Sequence, residues 1–166
     1  VGFFRRPPHL LYPEVESGGI TVILYLLNNH FVSMSGGVEA TEPQRTAQAA
    51  WNLQVVQEIL AAEPDAYVVV MGDLNSFFES LPIQTLRDGG MVHVLDLLPL
   101  EQRYTYIFEG ESQVLDHILV TESLLDLLSR VEILHVNSDF PLPDADDTSP
   151  WHKSDHDPCV ATFTVK

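Results

Sequence analysis

The run Val68-Val69-Val70-Met71 ends abruptly in Gly72-Asp73-Leu74-Asn75-Ser76. An unbroken β-branched stretch is the mark of a strand covered on both faces, as in the middle of an α/β sheet. Alternation along such a strand puts the side chains of Asp73 and Asn75 on one side, two residues apart, at the strand end where an open α/β sheet keeps its ligand crevice. A carboxylate and an amide there suit a metal or a phosphate. The same residues also suit an Asx turn that only reverses the chain, and this segment alone leaves both readings open.

Three further strand ends carry polar groups of the same kind. Ile20-Thr21-Val22-Ile23-Leu24-Tyr25-Leu26-Leu27 runs into Asn28-Asn29-His30. Asp116 sits inside the apolar run Val114 to Val120, and a buried carboxylate costs several kcal/mol unless it is paired, on the order of 3–5. It therefore calls for a partner such as His156. That histidine lies between two acids in Ser154-Asp155-His156-Asp157-Pro158, just before the alternating strand Cys159, Ala161, Phe163, Val165. A carboxylate beside an imidazole fixes its tautomer and raises its basicity, as metal ligation and acid–base work both require. Asn29 reads as a strand-end or supporting residue, and His93 and His152 as structural or surface histidines.

In this order Asn29-His30-Phe31, Gly72-Asp73-Leu74-Asn75, Tyr104 to Gly110 followed by Leu115-Asp116-His117, and Ser154 to Pro158 resemble the motifs of the endonuclease/exonuclease/phosphatase superfamily. Phe3-Phe4-Arg5-Arg6-Pro7-Pro8, together with Asn137-Ser138-Asp139 and Asp146-Asp147, resembles its bacterial extracellular or surface nuclease branch, which implies an extracellular or cell-surface setting. The resemblance implies an α/β fold: the mixed-sheet half of a two-sheet α/β sandwich, helices outside. It also implies an N-terminal half carrying an Asn and a metal-binding Glu that would precede Val1. Residues 1–166 are thus expected to be the single C-terminal portion of a larger domain, with an apolar sheet face left open. Val32 stands where that branch carries a Lys, removing one expected phosphate contact.

The activity implied is metal-dependent phosphodiester hydrolysis of DNA or RNA by in-line attack of water. His156 oriented by Asp116 would be the general base, Asp73 and Asn75 would position water and a phosphate oxygen, and His30 would donate to the phosphoryl group. Asp155 would bind Mg²⁺, with Mn²⁺ or Ca²⁺ as alternatives, because hard cations prefer carboxylate oxygens. Two alternatives stay open: a phosphomonoesterase or lipid or small-substrate phosphodiesterase of the same superfamily, and a non-catalytic module whose acidic loop binds calcium or a partner.

Charge argues with the nucleic-acid reading. Twenty-four acidic residues against 8 basic ones give a net charge of −16, whereas nonspecific nucleic-acid affinity comes mostly from a basic track. A basic missing half, bound divalent cations, or a small substrate would each reconcile the two. Cys159 is the only cysteine among the 166 residues, so no internal disulfide forms. No apolar run is long enough to span a membrane, and 45% hydrophobic content excludes a disordered chain.

The remaining pattern predicts a Gly-containing loop from Ser33 to Thr41 and a helix opened by Pro43 that runs to about Ala62. Its expected buried face is Ala47, Trp51, Val55 and Ile59. A short helix over 80–87 follows, and 92–98 is ambiguous between strand and loop. Tyr104–Phe108 is expected to form a hairpin with Leu115–Val120. A helix start at Thr121-Glu122, a strand over 131–136 and an acidic loop over 137–153 complete the chain.

Overall fold

A computed structural model describes residues 4–165; Phe3, part of the expected N-terminal signature, lies outside the described residues. Strands β1 (His9–Leu11), β2 (Glu14–Ser17) and β3 (Ile20–His30) precede helix α1 (Val38–Ala62) and strand β4 (Tyr67–Asp73). Then come α2 (Leu81–Asp88), β5 (Val92–His93), β6 (Tyr106–Phe108), β7 (Glu111–Gln113), β8 (Asp116–Val120), the single-turn α3 (Glu122–Leu125), β9 (Leu128–Ile133) and β10 (Cys159–Phe163). The main sheet runs β1-β3-β4-β8-β5, with β2 also on the edge of β3. The β3–β4 pair is parallel and the others are antiparallel, so the sheet is mixed and the fold is α/β. Two-stranded sheets β9–β10 and β6–β7 complete the described architecture. Among the described residues, no helix is long and apolar enough to cross a membrane.

The two faces of β4 explain its valine run. Val68 and Val70 pack with Leu27, Phe31, Ala49, Val56, Ile83 and Leu86, beneath α1 and α2. Val69 points the other way, into Val94, Leu95, Ile118, Val120 and Leu124, where partly buried Val131, Ala161 and Phe163 of β9–β10 close the layer. Each fully buried aliphatic of this size contributes about 1.5–3 kcal/mol, so the central strand anchors both layers. Along the outer edge Leu11, Tyr12, Val15, Ile20 and Ile23 keep 36–57% of their surface exposed, and there the sheet is open.

Several expected boundaries move, each for a physical reason. Helix α1 begins at Val38, after a 3-10 turn over Met34–Gly36, and carries Pro43 inside it. Its fully buried residues are Arg45, Gln48, Ala49, Asn52 and Val56, whereas the expected Ala47, Trp51, Val55 and Ile59 are only half-buried, Val55 and Ile59 packing against the core from its margin. Hydrophobic periodicity misreads it because three of those buried residues are polar and individually paired. Asn52 and Asn29 exchange amide hydrogen bonds of 2.9 and 3.0 Å, and each also donates to a backbone carbonyl. Gln48 accepts from the Val32 amide. Arg45 donates to Thr41 Oγ1 and to the Val38 carbonyl.

β6 pairs with β7, not with β8, through the left-handed pair Glu109 and Gly110, a geometry that suits a two-residue hairpin turn. β8 is taken instead by β4 and β5. The expected strand over 131–136 is centred earlier, at 128–133, because its partner β10 fixes the register Cys159↔Ile133. Residues 92–98 divide into β5 and a 3-10 turn over Val94–Leu97.

Beneath the Asp73 turn lies a buried histidine pair. His117 Nε2 donates to the Ser76 carbonyl at 2.8 Å, so its Nδ1 accepts from His93 Nε2 at 2.8 Å, and His93 Nδ1 accepts the Leu95 amide. Both rings are satisfied only when neutral. Burial pushes His117 down to about 4, and burial, then His117 itself and the nearby arginines, lowers His93.

Two outcomes follow for stability. A histidine whose folded pKa lies below its unfolded value stabilises fully above the latter and loses that contribution on acidification. The melting temperature should therefore fall as pH drops from 6.5 toward about 4, and His117→Asn should flatten this dependence; an unchanged slope in thermal melts would refute the pairing. At Gly72, where φ is +121°, an added Cβ would lie 2.1 Å from the Asn29 carbonyl oxygen. Gly72→Ala should cost on the order of 2–3 kcal/mol in denaturant titrations, and an unshifted midpoint would show that β3 and β4 need no such approach.

Candidate active site

Strand register places the site. His30 on β3 pairs with Asp73 on β4, and Asp73 pairs with Asp116 on β8, so three polar side chains form one row across adjacent strand ends. Registered neighbours share a face. Asn29, one residue back on β3, points to the opposite face and locks the strand to α1 through Asn52.

β4 ends at Asp73, so alternation does not extend to Asn75. Asn75 instead adopts the left-handed conformation at φ 45°, and Asp73 Oδ1 accepts its backbone amide at 2.9 Å. Its side-chain amide donates to Asp73 Oδ2 at 3.1 Å and to the Phe31 carbonyl at 3.2 Å. The Asx turn and the polar site are thus the same object. Burial holds the Asp73 carboxyl above its ordinary range, against the Asn75 hydrogen bond, with Asp116 adding repulsion and the two histidines opposing it.

His156 arrives from the other side of the molecule. A single bridge to Tyr106 and a ring contact at 4.8 Å seat it, and its Nδ1 donates to Asp116 Oδ2 at 2.6 Å. A carboxylate only accepts, so Nδ1 carries the proton and Nε2 presents its lone pair. The Asp116 hydrogen bond, opposed by desolvation, raises the His156 pKa above its ordinary value. Asp116 is itself placed by Thr105, whose hydroxyl accepts the amides of Leu115 and Asp116.

At the other end of the row Arg6 Nη1 lies 2.5 Å from His30 Nδ1. The same Nη1 lies 3.0 Å from His30 Nε2, which also faces Asp73 Oδ2 at 3.4 Å. These groups border a cleft of about 720 Å³ lined by Arg6, His30, Asp73, Asn75, Asp155 and His156, with Met34, Val38, Phe77, Tyr106, Phe108 and Leu115 as apolar walls.

Ligand atoms of Asp73, Asp116 and His156 all lie within 4.8 Å of one another. Two carboxylates this close repel, and the raised Asp73 pKa records part of that cost; a hard divalent cation would relieve it. The residues present fit such an ion. Asp155 is exposed on the rim of the same cleft.

A sequence profile described as the Endonuclease/Exonuclease/phosphatase family matches residues 20–138. This chain belongs to that family. Truncated TDP2 of Caenorhabditis elegans superposes with a TM-score of 0.65 at 23% identity, covering 95% of this chain and 60% of that one. For the 3′ phosphatase NExo from Neisseria, solved with product DNA hairpin, the figures are 0.61, 16%, 87% and 63%. For the mannosyl-6-phosphatase Bt3783 of Bacteroides thetaiotaomicron they are 0.61, 16%, 89% and 53%. At such identities the likeness is one of fold, and this chain spans 53–63% of those three chains. No curated protein sequence matches it.

Sequence reasoning missed two residues of this family member's site. Arg6 carried no signal beyond its place in an Arg-Arg-Pro-Pro stretch. Asp157 is fully buried, and its carboxylate accepts from the amides of Val136, Asn137 and Ser138, the Ser138 hydroxyl and His135. Burial pushes its pKa up, but those hydrogen bonds outweigh it and hold the carboxyl low. Asp157 thereby ties the 137–153 loop to the residue following His156.

The raised His156 pKa should fall in Asp116→Asn, which retains shape but loses the charge. Ring titration by NMR reads it directly, and an unmoved pKa would mean that Asp116 does not set the imidazole.

Proposed function

We propose that this chain carries the catalytic face of a divalent-metal-dependent phosphoesterase, and that its bond is a nucleic-acid phosphodiester. The observation that carries the reading is the convergence of His30, Asp73, Asn75 and His156 on one cleft, with Asp116 from a fourth segment bonded to His156 and registered with Asp73.

Each group suits a need of in-line attack on phosphorus: an activated water, donors on nonbridging oxygens and a stabilised leaving group. His156 Nε2, its lone pair exposed by the Asp116 hydrogen bond, takes the proton of the attacking water. Asp73 orients that water as an acceptor. His30 faces the phosphoryl oxygens with Arg6 adding a fixed positive charge behind it, and Asn75, its N–H groups given to Asp73 and Phe31, holds the Asp73 carboxylate in place. The carboxylates of Asp73 and Asp116, with Asp155 on the rim, would hold Mg²⁺ or Mn²⁺, which when bound supplies neutralisation of the developing charge. Family membership and the DNA bound by the Neisseria phosphatase support the nucleic-acid substrate.

A second reading, a small phosphorylated substrate, is favoured by the net charge of −16 and by the sugar-phosphatase likeness. The two part in one assay of the full-length protein against plasmid DNA, RNA, a sugar phosphate and bis-p-nitrophenyl phosphate, with Mg²⁺, Mn²⁺, Ca²⁺ or EDTA. EDTA-sensitive cleavage of nucleic acid is the expected result, and turnover of the sugar phosphate alone would replace the first reading with the second. His156→Ala and Asp73→Ala should each lower kcat by about 10²–10⁴ with the melting temperature retained. Wild-type rates in either variant would remove that residue from the mechanism.

A further inference from the structure

The described cations are almost all occupied. Arg87 and Arg103 both pair with Asp96 and flank the Phe78 ring at 4.8 Å. Arg130 pairs with Glu132, and Lys153 donates to the Asp147 carbonyl. Arg45 is buried and spends its donors on Thr41 and Val38. Among the described residues this leaves Arg5 and Arg6, both exposed and neither within ion-pair reach of a carboxylate, Arg6 resting one Nη on the His30 ring. In a chain whose acids outnumber its bases 24 to 8, two adjacent arginines without an acid are a specific arrangement.

They line one cavity. A polar recess of about 300 Å³ is walled by Arg5, Arg6, Ser33, Ser35 and Thr41, and it shares Arg6, His30, Ser33 and Ser35 with the larger cleft. Its rim is therefore continuous with the place where the scissile phosphate would sit. Guanidinium groups and the Ser33 and Ser35 hydroxyls match the planar, multiply accepting face of a phosphate, while Thr41 spends its hydroxyl on the Gly37 carbonyl.

We infer that this recess is a second phosphate subsite, which holds the phosphate next to the one attacked. The inference rests on the phosphodiesterase reading and deepens it: the substrate carries two phosphates, and a strand is recognised through a short two-point contact in place of a long basic track. It also accounts for Val32, where a lysine was expected. The positive charge at this corner comes from the segment preceding β1 instead.

Inorganic phosphate titrated into the full-length protein should produce saturable NMR shifts in the Ser33 and Ser35 amides. In Arg5→Gln the affinity should weaken by about tenfold, the size expected for one charge-assisted contact, with unchanged melting. Shifts that never saturate, or that saturate equally in Arg5→Gln, would overturn the subsite. Fluorescence anisotropy with phosphorothioate oligonucleotides then identifies the source of the phosphate. A trinucleotide with two phosphates should bind about tenfold more tightly than a dinucleotide with one, and in Arg5→Gln that advantage should disappear. Arg5-dependent phosphate binding without any trinucleotide advantage would keep the anion site but overturn its assignment to a flanking phosphate. If neither oligonucleotide bound, the nucleic-acid reading itself would fall while the anion site stood.

Discussion

The approach of β4 to β3 at Gly72 is the contact on which the rest of the site depends. Backbone crowding against Asn29 leaves no room for a side chain there, and the resulting register sets His30 opposite Asp73 and Asp73 opposite Asp116. A slip of β4 by one residue would send Asp73 to the helix-covered face and leave His30 and Asp116 without it. The reciprocal Asn29–Asn52 amides hold the same register from behind. Packing alone would tolerate a shifted strand, because valine follows valine. Polar pairing does not, since each amide would be left buried without a partner at a cost of about 1–3 kcal/mol.

Around that register the charges are arranged in opposition. Asp73 is pushed toward its neutral form by burial and by Asp116, while His156 is pulled toward its charged form by the Asp116 hydrogen bond. Both groups therefore hold a proton more tightly than they would in water, and the Asp116 carboxylate that faces each of them is a common cause. The deeper His93–His117 pair has the opposite character. Buried and bonded in series to the Ser76 carbonyl, it is built to remain neutral and supports the turn that carries Asn75.

Much of the site was legible because acids and amides interrupt apolar runs, and burial makes such interruptions expensive unless they are used. Asp73, Asn75 and Asp116 announce themselves this way at adjoining strand ends, and the need of Asp116 for a partner points to His156. What stayed hidden was pairing. Periodicity cannot recognise a helix face whose buried residues are Arg45, Gln48 and Asn52, since each is there for a specific partner. Nor can it tell Asp155 from Asp157, two residues apart, when one ends up exposed and the other buried among backbone amides. The short strands His9–Leu11 and Glu14–Ser17 were equally invisible, being brief and separated by a proline, and with them the position of Arg6.

His156 does not belong to the main sheet. It immediately precedes β10, whose partner is β9, and it reaches Asp116 across the boundary between the two sheets. The hydrogen bond that sets its tautomer is therefore also a gauge of how the sheets sit on each other. Sliding one over the other by about an ångström would stretch it past hydrogen-bonding range, leaving every side chain in place and the imidazole without its orientation. Whatever binds against β9–β10, or strains the 137–153 loop that Asp157 anchors, thus has mechanical leverage on the proton acceptor without touching the cleft.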